Sequence, residues 1–242
     1  MTRTILRLSG TDTDKFLDGL LTRNIPETGL GYAALLTPQG KYLADFLMFR
    51  ADGAAHLDMA TDLVPPTVQR LNMYKLRSDV TIEATDLQVQ RGLDDAPEGA
   101  MTDPRPGMGW RRYGTAMPSD DADWDAVRVE NLIPESGTEL IPNESYILEM
   151  GFERLGGVDF KKGCYVGQEI VARMKHKTEL RKGLARVGLD GPAQPGTEIT
   201  SGGKPVGTLN TVSGDRALAY LRFDRAQTMQ AGDTALTLDA RI

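Results

Sequence analysis

A single cysteine, Cys164, stands in 242 residues. No internal disulfide can form, which fits a reducing compartment. The two histidines, His56 and His176, share no metal-ligand spacing with that cysteine, so no zinc or iron–sulfur site within one chain is expected. Aromatic residues are scarce at 6 %, which leaves few stacking platforms to choose from. Positive charge is in deficit: 28 Lys and Arg against 34 Asp and Glu leave a net charge of −6. An acidic chain repels nucleic-acid phosphates and anionic membrane surfaces, so neither is an expected partner. Nowhere do about 18 apolar residues run uninterrupted, so no membrane span is expected. The opening stretch MTRTILRLSGTD lacks the apolar stretch of a secretory signal, and the expected location is cytoplasmic.

What is present suffices for a core: 40 % of residues are hydrophobic, and the length allows one large or two modest domains. Thr4 to Leu8 alternates as a strand, and Phe16, Leu17, Leu20 and Leu21 then recur at helical spacing, with Thr11 and Asp14 as a candidate capping pair. Tyr32 to Leu36 and Tyr42 to Arg50 flank the turn Thr37-Pro38-Gln39-Gly40, the pattern of a hairpin. Leu57 to Ala60 is a further strand. Val64, Val68, Leu71 and Tyr74 form a helical stripe opened by Pro65-Pro66. Residues 92 to 123 are broken by prolines and glycines and read as a loop-rich segment, with a strand only at Trp110 to Tyr113. Trp124 to Glu130 resumes alternation, Glu144 to Leu155 reads as a short helix stopped by Gly156-Gly157, and Gln168 to His176 as another helix. After about Thr178 short β-like runs separated by Gly, Pro, Ser and Asp turns suggest a small antiparallel barrel or sandwich.

Chemistry concentrates around the lone cysteine, in Lys161-Lys162-Gly163-Cys164-Tyr165-Val166-Gly167-Gln168-Glu169. Two lysines and a following helix N-terminus favour a thiolate, whereas Glu169 opposes it. The same cysteine also suits a buried, inert site. Asp45 lies between apolar residues, where it either caps a strand, pairs with Lys41 or acts in a site. Trp124 reads as packing or as a stacking platform, and Arg128-Val129-Glu130 as a structural pair or a ligand clamp. Tyr74, Lys75 and Arg77 line a pocket or end a solvated helix. Arg173, Lys175, His176 and Lys177 form a basic run of the kind usual on a solvated face.

The stretch Lys-Gly-Cys-Tyr-x-Gly-Gln-Glu resembles the signature of the YgfZ-type folate-binding proteins. These are iron–sulfur cluster assembly factors related to the aminomethyltransferase (T-protein) of the glycine cleavage system. IPNE (Ile141 to Glu144), GGVDFKKGCYVGQEIVAR and the hairpin YAALLTPQGKYLADF resemble that family too, so the likeness covers most of the chain. It implies an α+β fold: a T-protein-like folate-binding domain around a central pocket over residues 1–178, with the loop-rich segment 92–123 inside it, then a C-terminal antiparallel β-barrel over 179–242. It implies a folate-binding accessory protein for iron–sulfur cluster assembly or repair that uses Cys164 as a surface thiol. The alternative is an active tetrahydrofolate-dependent aminomethyl- or methyltransferase with Asp45 as its carboxylate. Tetrahydrofolate or a derivative would be held by Trp124, Arg128, Glu130 and Asp45, with Tyr74 and Arg77 toward the glutamate tail. A second folate-linked tryptophan of the family is Arg3 here. The motif residues would be Lys161, Lys162, Gly163, Cys164, Tyr165, Gly167, Gln168, Glu169 and Arg173. One thiolate supplies one of a cluster's four usual ligands, so an iron–sulfur cluster would be shared with a partner, an assembly or client protein.

Overall fold

The computed structural model describes residues 2–118, 120–176 and 179–242. The chain begins with β1 (Arg3–Ser9), a six-residue helix α1 (Thr13–Asp18), the hairpin β2 (Gly31–Leu36) and β3 (Tyr42–Ala51), and β4 (Ala54–Ala60). Helix α2 (Val64–Lys75), with prolines in its first turn, leads to β5 (Thr81–Ala84). These strands form one antiparallel sheet in the order β2-β3-β4-β1-β5. The sheet is covered on both sides, so β2 is apolar throughout rather than alternating with polar residues. Its side chains still alternate in direction: Tyr32, Ala34 and Leu36 enter one core, while Ala33 and Leu35 enter another beneath α1 and α2.

A strand leading into the loop-rich segment, β6 (Gln88–Gly92), joins two strands inside it, β7 (Met101–Thr102) and β8 (Trp110–Gly114), in a small sheet of order β6-β8-β7. Next, Trp124–Asn131 is a helix, α3, and not the strand that its alternation suggests. Asp123 decides this by accepting a bond from the Ala126 N–H, and Leu132 in a left-handed conformation closes the helix. Residues 144–155 are also corrected: they form successive tight turns, not a helix. Gly151 at φ 78° interrupts them, and Met150 and Phe152 both donate to the Ile147 carbonyl. Thr11 does not cap α1, because its hydroxyl and N–H both donate to Asp79. Helix α4 (Gln168–His176) has the extent that its periodicity predicts.

The C-terminal strands are β9 (Lys182–Asp190), β10 (Glu198–Ser201), β11 (Lys204–Ser213), β12 (Arg216–Arg222), β13 (Met229–Ala231) and β14 (Thr234–Arg241). They close into a six-stranded antiparallel barrel in the order β10-β11-β12-β9-β14-β13. Val187, Ile199, Leu209, Ala219 and Leu221 fill it. The boundary expected near Thr178 falls outside the described residues, as does Lys177 of the basic run, and β9 begins four residues further on.

Candidate functional site

The cysteine loop is built by contacts from far along the chain. Asp159 donates its N–H to the Thr22 carbonyl and accepts the Lys161 N–H on its side chain, which fixes the entry to the loop. The Lys162 ammonium donates to the Asp18 and Leu21 carbonyls at 2.7 Å each and pairs with the Asp18 carboxylate at 3.2 Å. Its side chain is 1 % exposed. Burial pulls the Lys162 pKa below the usual lysine value, against the raising influence of Asp18. Its ammonium thus closes the end of α1. Tyr165 is buried in the same core as Tyr32 and Tyr42.

Gly167, at φ 87°, brings the loop against the hairpin turn: a Cβ there would lie 2.6 Å from the Thr37 carbonyl oxygen. At the facing position a Cβ on Gly40 would lie 2.8 Å from Ile170 of α4. Between these two anchors, Gly163 and Cys164 are exposed. Gln168 opens α4, Glu169 lies in its first turn, and Arg173, Lys175 and His176 lie in its last, each sign complementing the helix dipole. Arg173 pairs with Glu169 at 3.1 Å one turn away. Cys164 is thus a free thiol open to solvent. Among the described residues, no group of three or more His, Cys, Asp and Glu could hold a metal ion.

A second cluster lies among β3, β4 and β8. Asp45 of β3 is 5 % exposed and accepts from three hydroxyls: Tyr32 at 3.0 Å, Tyr42 at 2.7 Å, and Ser136. Burial, reinforced by Asp45, raises both tyrosine pKa values well above normal. Around this group Asp58, completely buried, accepts from Arg3 (2.7 Å), Arg111 (3.0 Å) and Tyr113 (2.9 Å). Arg111 also donates to Asp103 at 2.9 Å, and Arg105 grips Asp103 with two nitrogens at 2.7 and 3.0 Å. Burial alone would raise both aspartate pKa values. The guanidiniums prevail, Arg105 first for Asp103 and Arg3 first for Asp58, and both carboxyls titrate below their ordinary range.

The residues expected to hold folate divide among different places. Asp45 and Arg128 line one cavity together with Arg3, Arg91, Arg105 and Arg111. Its free volume is about 20 Å³. Trp124 stands beside it with Arg91 stacked on its ring at 4.3 Å, while its indole N–H donates to Asp120. Arg128 is bound to Glu139 (3.0 Å) and to Thr211 of the barrel (2.8 Å). Glu130 does not reach the cavity. It is exposed at the end of α3, where it pairs with Arg216 (2.6 Å) and Arg186 (3.2 Å) of the barrel, because it lies about half a helical turn away from the face that Arg128 presents inward. Tyr74 and Arg77 line a separate open groove with Lys15 and Phe16.

The main residues missed in the sequence are Asp58, Asp103, Arg105 and Arg111. Asp58 was detectable as a charge inside the apolar run Leu57-Asp58-Met59, since a charge buried in a strand must be paired. The others sit in the aperiodic segment, where no spacing marks direction.

Comparison with known proteins follows this division. Residues 181–241 match the family described as CAF17, C-terminal beta-barrel domain. The mitochondrial iron–sulfur cluster assembly factor IBA57 of Mus musculus is 31 % identical, covering 92 % of this chain and 76 % of that protein. Its Homo sapiens counterpart is 31 % identical, covering 90 % and 75 %. Among solved structures, the glycine cleavage system aminomethyltransferase T of Bartonella henselae superposes with a TM-score of 0.77 at 10 % identity, over 99 % of this chain and 83 % of that one, which establishes a common fold. The cytoplasmic location expected from the sequence is corrected by these matches: the relatives are mitochondrial by name, and they point to that compartment instead.

Proposed function

Starting from the chain's membership of the IBA57 family of iron–sulfur cluster assembly factors, we propose that it acts in cluster assembly through the thiol of Cys164. The observation that carries this reading is the setting of that cysteine. It is exposed between two anchors, the Lys162 ammonium on the end of α1 and the glycine contact at Thr37. One thiolate fills one of the four ligand positions usual for a cluster. The remaining ligands come from an iron–sulfur assembly or client protein, and the cluster is the cargo of the pair.

The transferase alternative asks Asp45 to place a free lone pair on a reacting atom. Three hydroxyls already occupy this buried carboxylate, so the thiol reading is the better supported. Substitution of Cys164 by Ser tests it. The variant is expected to melt with the wild-type protein, yet to leave iron–sulfur enzymes inactive in a strain lacking the natural gene. Full rescue by Cys164→Ser would refute a role for the sulfur.

A further inference from the structure

The central cavity is where the family resemblance assigns a reduced folate, and the residues present do not fit one. Its free space of about 20 Å³ accommodates one water molecule, whereas small-molecule pockets run to about 300–1,000 Å³. Arg128 lines this space with an Nε that lacks a protein acceptor.

The space is small because charged side chains fill it and hold one another there. Arg3 occupies the position of a family tryptophan and lies on Asp58. Arg111 bridges Asp58 and Asp103, and Arg105 holds Asp103 by a two-point contact while lying 5.2 Å from the Tyr32 ring. To admit a bicyclic ring, Arg3 or Arg105 must withdraw, which strands Asp58 or Asp103 as a buried charge with fewer partners.

The recognition chemistry is missing as well. The amino-pyrimidinone edge of a pterin donates two parallel N–H bonds and needs a carboxylate to accept them. Asp45 is committed to three hydroxyls, and Glu130 is outside, bound to the barrel. The Trp124 ring carries Arg91.

We infer that in this chain the folate cavity has become an ion-paired core, and that the protein operates without a reduced folate. This inference is independent of Cys164, and either can fail while the other stands.

Anaerobic calorimetry of the purified full chain with tetrahydrofolate, and separately with 5-formyltetrahydrofolate, tests it. No saturable heat is expected up to millimolar ligand. Saturable one-to-one binding at micromolar affinity or tighter with either ligand would overturn it. Hydrogen exchange supplies a second reading on the same protein. The amides of Arg105, Met108 and Ser136 are expected to exchange within twofold of their free rates in excess tetrahydrofolate, and a protection of tenfold or more would equally overturn it.

Discussion

Replacing Asp58 by Asn keeps the side chain's volume and removes its charge, so it isolates what the central ion network contributes. Asp58 has no exposure to water, and its carboxylate receives Arg3, Arg111 and Tyr113. Without the charge, Arg111 retains Asp103, but Arg3 loses its ion pair while 84 % of its side-chain surface stays buried. Breaking a buried pair from one side costs about 3–5 kcal/mol. The partner that Arg111 retains places this case at the low end, about 3 kcal/mol. For a chain of this size that is a fall in Tm of about 6–12 °C. Urea unfolding followed by tryptophan fluorescence measures it directly, and the slope should be unchanged if the native state stays closed. The paired substitution Arg3→Met with Asp58→Leu should recover most of the loss, because apolar replacement of a whole buried pair is often neutral or better. A loss below about 1 kcal/mol for Asp58→Asn, the size of an exposed pair, would show that water reaches the network. The reasoning about a filled cavity would then fail with it.

Acid should act through the same groups. Asp58 and Asp103 both titrate lower in the folded chain than in the unfolded one. Their contribution is therefore complete above about pH 4 and is lost as pH falls through the folded values. Urea midpoints measured from pH 6 down to pH 2 should drop steeply only below pH 4, and the drop should be shallower in the Arg3→Met, Asp58→Leu variant; equal profiles would contradict the assignment. Substituting Gly167 by Ala forces a Cβ to within 2.6 Å of the Thr37 oxygen in a left-handed backbone. The expected cost is about 1–3 kcal/mol, together with a changed rate of Cys164 alkylation. Wild-type stability and an unaltered rate would show that the loop is not seated on the turn.

The elements legible in the sequence were those with a strong period or strong punctuation. The β2–β3 hairpin announces itself through Thr37-Pro38-Gln39-Gly40, and α4 through Ile170, Val171 and Met174. The turns after Thr178 marked an antiparallel barrel or sandwich and the family resemblance pointed to the barrel, although its shortest strands, β10 and β13, leave too few residues to show alternation. Helix α3 was misread because Val127 and Val129 alternate by chance, while the Asp123 cap that decides the matter is a single residue. Exposure of Cys164 agrees with the loop pattern. The central cavity was the harder problem. A motif indicates which residues a family places there, but whether they enclose a void depends on side chains from segments without periodicity, here Asp103, Arg105 and Arg111. Arg3, where the family resemblance places a tryptophan, was a local sign readable in the sequence.

The surfaces that hold the cysteine come from residues 18–21 and 37–40 on one side and 165–170 on the other, separated by more than a hundred positions. No fragment carrying the motif alone can reproduce that setting. The loop around the sulfur takes this shape only after the N-terminal sheet and the later turns have met. A half-made or misassembled copy carries the same cysteine only as an ordinary loose thiol.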